Sequence, residues 1–201
     1  MKKFFTLISH QNNEPVLYQA VDNPALQLDR KVKCPIMTAI AGYVCPGEEI
    51  RVIAVLTDTE VCRNNLEEFD CQVRQLCEEK GCICPAGVEA VFVPEADDIF
   101  ALKETFRKLI TCVDDNDELF ACMTYGTKPT TNAVMMALQY AYRIKSNASI
   151  SCVLYGQLRR PSMEARVYDL TAMVRLDEIV HLLAATKHPD PDAMIDLFLT
   201  M

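Results

Sequence analysis

Leu119 to Met123 is an uninterrupted apolar run that stops abruptly at Thr124-Tyr125-Gly126-Thr127-Lys128-Pro129 and gives way to a helical pattern. A run of this kind is what a strand covered on both faces requires, so the chain is constrained to a sheet with helices on each side. The pattern recurs: Phe4–Ile8, Ile50–Leu56, Ala90–Val93 and Ser149–Tyr155 read as further buried strands. Pro15–Val21 reads as a short extended piece. Between the strands lie helical stretches. Pro35 opens one that runs to Val44, and Glu60–Lys80 carries the stripe Leu66, Phe69, Val73, Leu76 and ends at Gly81. A third follows a cap at Asp97-Asp98 and continues to Val113, and a fourth, over Ala133–Leu138, is apolar on nearly all sides. Strands alternating with helices imply right-handed crossovers and parallel pairing.

The expected fold class is therefore α/β, a Rossmann-like, mostly parallel sheet of about six strands with helices on both faces. Ser149–Tyr155 and Ala165–Leu170 are close enough to form an antiparallel hairpin at the sheet edge. Residues 1–172 are expected to make this domain. Residues 173–201 are expected to form C-terminal helices packed on or extending it, over Leu176–Ala185 and from Asp190-Pro191 onward.

The net charge of -8 excludes a broad surface for long DNA or RNA, which needs many lysine and arginine contacts to phosphates. It leaves room for a short anionic ligand held in a pocket. Phe4–Ile8 is too short for a signal-peptide core, and no span approaches the ~18 apolar residues of a membrane helix. The reading is a cytoplasmic protein with no membrane partner, whose ten cysteines are mostly reduced. Cys34, Cys45, Cys112, Cys122 and Cys152 lie among apolar neighbours and are expected to fill core space. The cluster Cys71, Cys77, Cys82 and Cys84 lacks the repeated pairs and nearby histidine of a zinc site, so packing at a helix end is expected and no metal.

Three polar turns fall at carboxyl ends of parallel strands and are expected on one rim: Ser9–Asn13, Thr57–Thr59 and Thr124–Thr130. In the last, Gly126 allows close approach of backbone to a ligand, and the helix start offers amide hydrogens and a partial positive charge. Lys128 opposes that dipole, which suggests an anion to offset it. Other nucleotide motifs are missing. The loop after the first strand has no glycine, so a dinucleotide fingerprint is excluded, and the upstream glycine of a Walker loop is absent before Gly126-Thr127-Lys128. No Gly-x-Ser-x-Gly elbow is present, and His181 and His188 read as structural. Asp114-Asp115-Asn116-Asp117 reads as a solvated turn. No cofactor is implied.

Thr124-Tyr125-Gly126-Thr127-Lys128-Pro129-Thr130, closing a central strand and opening a helix, resembles the Thr-Gly-Gly-Thr-Lys type signature of CRISPR-associated Rossmann-fold (CARF) domains. The Ser9-His10-Gln11-Asn12 loop, the extended Tyr18 segment, the Leu56-Thr57-Asp58 turn and the hairpin near the end of the sheet fit the same layout. Tyr125 stands where many relatives have the first glycine, and the effector module that relatives usually carry is missing. The resemblance implies binding of a cyclic oligoadenylate, a tetra- or hexa-adenylate, across a two-fold homodimer. Ser9, His10, Gln11, Asn12, Thr57, Asp58, Thr124, Tyr125, Gly126, Thr127, Lys128, Pro129 and Thr130 would form the site, with Arg159 and Arg160 closing over a phosphate. Two roles follow from it. One is a metal-independent ring nuclease, in which a ribose 2'-hydroxyl attacks its phosphodiester to leave a cyclic 2',3'-phosphate, with Lys128, Ser9 and His10 as catalytic groups. The other is a non-catalytic sensor that signals to a separate effector chain.

Overall fold

The sheet is built around β1 (Lys2–Leu7), with β4 (Ile50–Thr57) on one side and β6 (Glu118–Cys122) on the other, both parallel to it. In this computed structural model, which describes residues 1–159 and 161–200, β5 (Val88–Val93) lies parallel outside β4. On the far side β7 (Ser149–Arg159) pairs parallel with β6, and β8 (Glu164–Asp169) turns back antiparallel to β7. Six adjacent strands thus run β5-β4-β1-β6-β7-β8, the doubly wound 3-2-1-4-5-6 order, and the strand order reverses between β1 and β6. The α/β, mostly parallel sheet expected from the sequence is present.

Two further strands enlarge it to eight. β2 (Val16–Ala20) pairs parallel with β8, and β3 (Lys31–Val32) pairs antiparallel with β2. The hairpin β7–β8 is antiparallel as expected, but it is not the last pair of the sheet. An outer place for β2 and β3 was invisible in the sequence because a five-residue and a two-residue strand carry too little periodicity to show what they pair with.

Helices α1 (Ile36–Tyr43) and α2 (Glu60–Lys80) cover one face, and α3 (Ile99–Ile110) and α4 (Lys128–Ile144) pack on each other and on β5 and β7 from the other. Under α1, Phe4 stacks on Phe120 with ring centroids 4.5 Å apart and Tyr43 tilts against Phe120 at 5.0 Å. α2 spans the residues expected, starts on a Thr59 side chain that accepts from the Cys62 amide, and ends at Gly81 with φ 69°. Its buried stripe is Cys62, Asn65, Phe69, Val73 and Leu76, and Leu66 is only partly covered.

Four local expectations are corrected. β5 is an edge strand, with only Val93 buried, because among the described residues no further strand pairs outside it. α4 buries one face through Ala133, Val134, Ala137, Leu138 and Ala141, while Met136 is 48% exposed. Cys45 is exposed, whereas Cys34, Cys122 and Cys152 are buried and Cys112 is partly so. Asp117 is buried, not solvated, because the Lys3 ammonium lies 2.7 Å from it. Cys77 and Cys82 are buried at the end of α2 and the turn after it, as packing requires, and Cys71 is exposed. Among the described residues, no three His, Cys, Asp or Glu side chains are grouped as a metal site would need.

Residues Met1–Asp169 form one compact unit, and a second begins at Leu170 and contains α5 (Thr171–Thr186) and α6 (Pro191–Thr200). Among the described residues no helix is long and apolar enough to cross a membrane.

Candidate functional site

Because β1, β4 and β6 are parallel, their carboxyl ends deliver three loops to one rim. The loops after β1 and β6 flank the reversal in strand order, which is where ligands enter sheets of this kind. They line one open cleft of about 390 Å³, walled by Ser9, His10, Gln11, Thr124, Tyr125 and Gly126. A recess of about 20 Å³ beside it is lined by His10, Thr57, Gly126, Thr127 and Thr130, so the third loop joins the same rim. The remaining candidates lie elsewhere. Asn12 and Lys128 are exposed and line neither cavity, and Asp58 is exposed and bound to Arg63. Pro129 lines a separate groove between α3 and α4. Arg159 ends β7, and its Nε donates to Gln157 Oε1 at 3.2 Å. Arg160 lies outside the described residues.

The hydroxyls of the rim serve the fold first. Ser9 Oγ accepts from the Gln11 amide at 3.1 Å and from Asn13 Nδ2 at 2.8 Å, folding the loop on itself. Thr124 Oγ1 accepts from the Gly156 amide at 2.7 Å, tying the end of β6 to β7. Thr127 caps α4 by accepting from the Thr130 amide at 3.3 Å, and its own hydroxyl donates to Asp97 Oδ1 at 2.8 Å. Asp97 therefore supplies a carboxylate at the α4 N-terminus, and the positive end of the helix is offset from within the protein. With Asp97 there, Lys128 needs no external anion to offset the dipole.

Gly126 has φ +85°, and an added Cβ would lie 2.3 Å from Leu7 Cδ2. The missing side chain lets the turn close on β1, a packing role where ligand approach was expected. Tyr125 turns its hydroxyl onto the Lys33 carbonyl at 2.7 Å, and its ring forms part of the cleft wall. Burial pushes its hydroxyl up, and burial likewise pushes Tyr18 up to about 12, against the lowering effect of Tyr125. Both are neutral donors at physiological pH. Burial also raises the thiols of Cys34 and Cys122, which holds them protonated and unsuited to nucleophilic chemistry.

Sequence reasoning passed over several contributors. Glu14, Tyr18, Gly156 and Leu158 line the cleft, Gly156 and Leu158 from β7 and Glu14 and Tyr18 from the loop before β2 and from β2, which lies beyond β8. Asn65 of α2 is nearly buried, and its Nδ2 donates to the carbonyls of Ser9 at 3.0 Å and Gln11 at 3.1 Å, clamping the loop. A readable signal existed for it: Asn65 stands four residues before Phe69, a polar group in the apolar stripe. Among the described residues no lysine or arginine lines the cleft. His10 Nδ1 lies 3.4 Å from Thr57 Oγ1, joining the first and second loops.

No protein-family model matches this chain, and no curated protein matches it.

Proposed function

We propose that the cleft at the strand-order reversal binds a cyclic oligoadenylate, and that the protein acts in type III CRISPR defence as a non-catalytic binder reporting to a separate effector chain. The observation that carries this reading is the convergence of the Ser9–Asn13 loop and the Thr124–Thr127 turn on one open, polar cleft. The ligand class comes from the resemblance of the Thr124–Thr130 turn to the CARF signature. Gln11, Asn13 and the backbone of both loops face sugar and base edges in this reading. The phosphates face outward to Lys128 and to the second copy of a two-fold dimer.

Binding is favoured over ring cleavage by the arrangement of the three candidate catalytic groups. Lys128 is exposed and outside the cleft lining, and the Ser9 hydroxyl oxygen already accepts two hydrogen bonds. Cleavage needs a donor fixed beside the phosphate that gains charge, and among the described residues no lysine or arginine lines the cleft.

Titration calorimetry with cyclic tetra-adenylate and cyclic hexa-adenylate, followed by chromatography of the recovered nucleotide, tests both levels. Saturable binding of one ring, intact on recovery and weakened in Gln11→Ala, is the expected result. Linear or 2',3'-cyclic products that disappear in Lys128→Ala would replace the sensor reading with a ring nuclease. Absence of binding to either ring would overturn the ligand assignment.

A further inference from the structure

Helices α3 and α4 leave an apolar groove of about 510 Å³ between them, floored by Ile99, Phe106, Ile110 and Met136. Ile99 is 59% exposed there. Lys103 and Arg107 stand along its α3 side, one helical turn apart, and among the described residues neither has an ion-pair partner, whereas the neighbouring Lys108 is held by Glu104. An apolar floor with a basic edge selects an amphipathic helix that carries acidic groups at the same spacing.

The chain itself contains such a helix. α6 places Asp192 and Asp196 one turn apart, beside Ile195 and Phe198, and none of its residues is buried. Leu197, Phe198 and Leu199 are 54%, 43% and 65% exposed. We infer that α6 of a second copy lies in the α3–α4 groove, with Asp192 and Asp196 against Lys103 and Arg107. Each copy then gives one helix and receives one, so two identical contacts close a two-fold dimer. At about 15 Å, the ten-residue helix is nearly as long as α3. This inference does not depend on the cleft or its ligand.

Charge-swapped full-length chains test it by sedimentation velocity. The wild type is expected to be dimeric, and both Lys103→Asp/Arg107→Asp and Asp192→Lys/Asp196→Lys are expected to dissociate, with affinity reduced roughly tenfold or more. Mixing the two variants in equal amounts is the decisive step. An acidic groove then meets a basic helix, and a basic groove meets an acidic one, so dimer returns in the mixture though neither variant forms it alone. Met136→Glu, which places a charge on the groove floor, is expected to dissociate the dimer with near-ultraviolet circular dichroism unchanged. A monomeric wild type, a dimer indifferent to both swaps, or variants that fail to complement on mixing would each overturn the inference.

Discussion

The two ends of the same parallel strands are built on opposite principles. At the amino end the charges are closed on one another: Lys3, 1% exposed, lies 2.7 Å from both Asp114 and Asp117 and donates to the Cys112 carbonyl, and Lys2 is held by Glu48 and the Tyr43 carbonyl. At the carboxyl end the polar groups are mostly hydroxyls and amides, with the His10 imidazole and the Glu14 carboxylate, arranged round an open cleft that has Tyr18, Thr124 and Gly156 in its wall. Buried charge tolerates no missing partner, so the amino end locks the register of β1 against β6. Hydroxyls bonded to neighbouring backbone leave room for a further partner, which is what a binding rim needs.

The largest effect that separates the two ends is expected from Lys3→Met. It removes the nearer of the two cations beside buried Asp117 among the described residues, leaving the terminal ammonium at 3.7 Å, and should cost about 3 kcal/mol in urea unfolding. The ligand affinity of the folded fraction should be unchanged. A loss below 1 kcal/mol would break the contrast. The same variant sharpens it through pH. Lys3 holds the Asp114 carboxyl below its ordinary range, and Lys2 does the same for Glu48. Their folded values are lowered, so their stabilisation is complete above the ordinary carboxylate values of about 4 and is lost as pH falls through the folded values. In Lys3→Met the contribution of the Lys3–Asp114 pair is absent at every pH, so the gap between the two proteins should narrow as pH falls from 7 to 3 and the wild type loses that contribution. A constant gap would show that the pair is not what Lys3 supplies.

Next comes Gly126→Ala, which meets both a positive φ and Leu7. A loss of about 1–3 kcal/mol is expected in thermal unfolding, together with weaker ligand binding, since the turn must draw back from β1. Asn65→Ala should cost less, about 1–2 kcal/mol, by freeing the Ser9 and Gln11 carbonyls. Faster amide exchange confined to residues 9–13 is its expected mark, and exchange spread across α2 would point instead to a general packing defect. The smallest effect on stability belongs to Lys128→Ala. Its melting temperature should match the wild type, and only the ligand affinity, read at low salt, should fall.

Much of the fold was legible because burial is written in periodicity. The apolar runs of β1, β4, β6 and β7 and the span of α2 follow from local composition, and Gly81 marks the end of α2 through the left-handed conformation it adopts. The meeting of the three loops also follows from sequence, since parallel strands must carry their carboxyl ends to one side. The cleft wall was only half legible. Tyr18 reaches it because β2 adds outside β8, and no residue near Tyr18 encodes that neighbour. Thr127 was placed in the ligand site, and the structure gives its hydroxyl hydrogen to Asp97.

By itself the sequence determined the strands β1, β4, β6 and β7, the span of α2, and that Ser9–Asn13, Thr57–Thr59 and Thr124–Thr130 share a rim. Only the tertiary structure decided that Lys3 meets Asp117, that Asn65 clamps the first loop, that Asp97 accepts from the capping hydroxyl of Thr127, and that Gly126 is there for Leu7. The reason is physical. Hydrophobic burial is non-directional and repeats with the period of the element, so it can be read along the chain. A hydrogen bond or ion pair needs one atom at one distance, and its partner is set by how remote segments pack together.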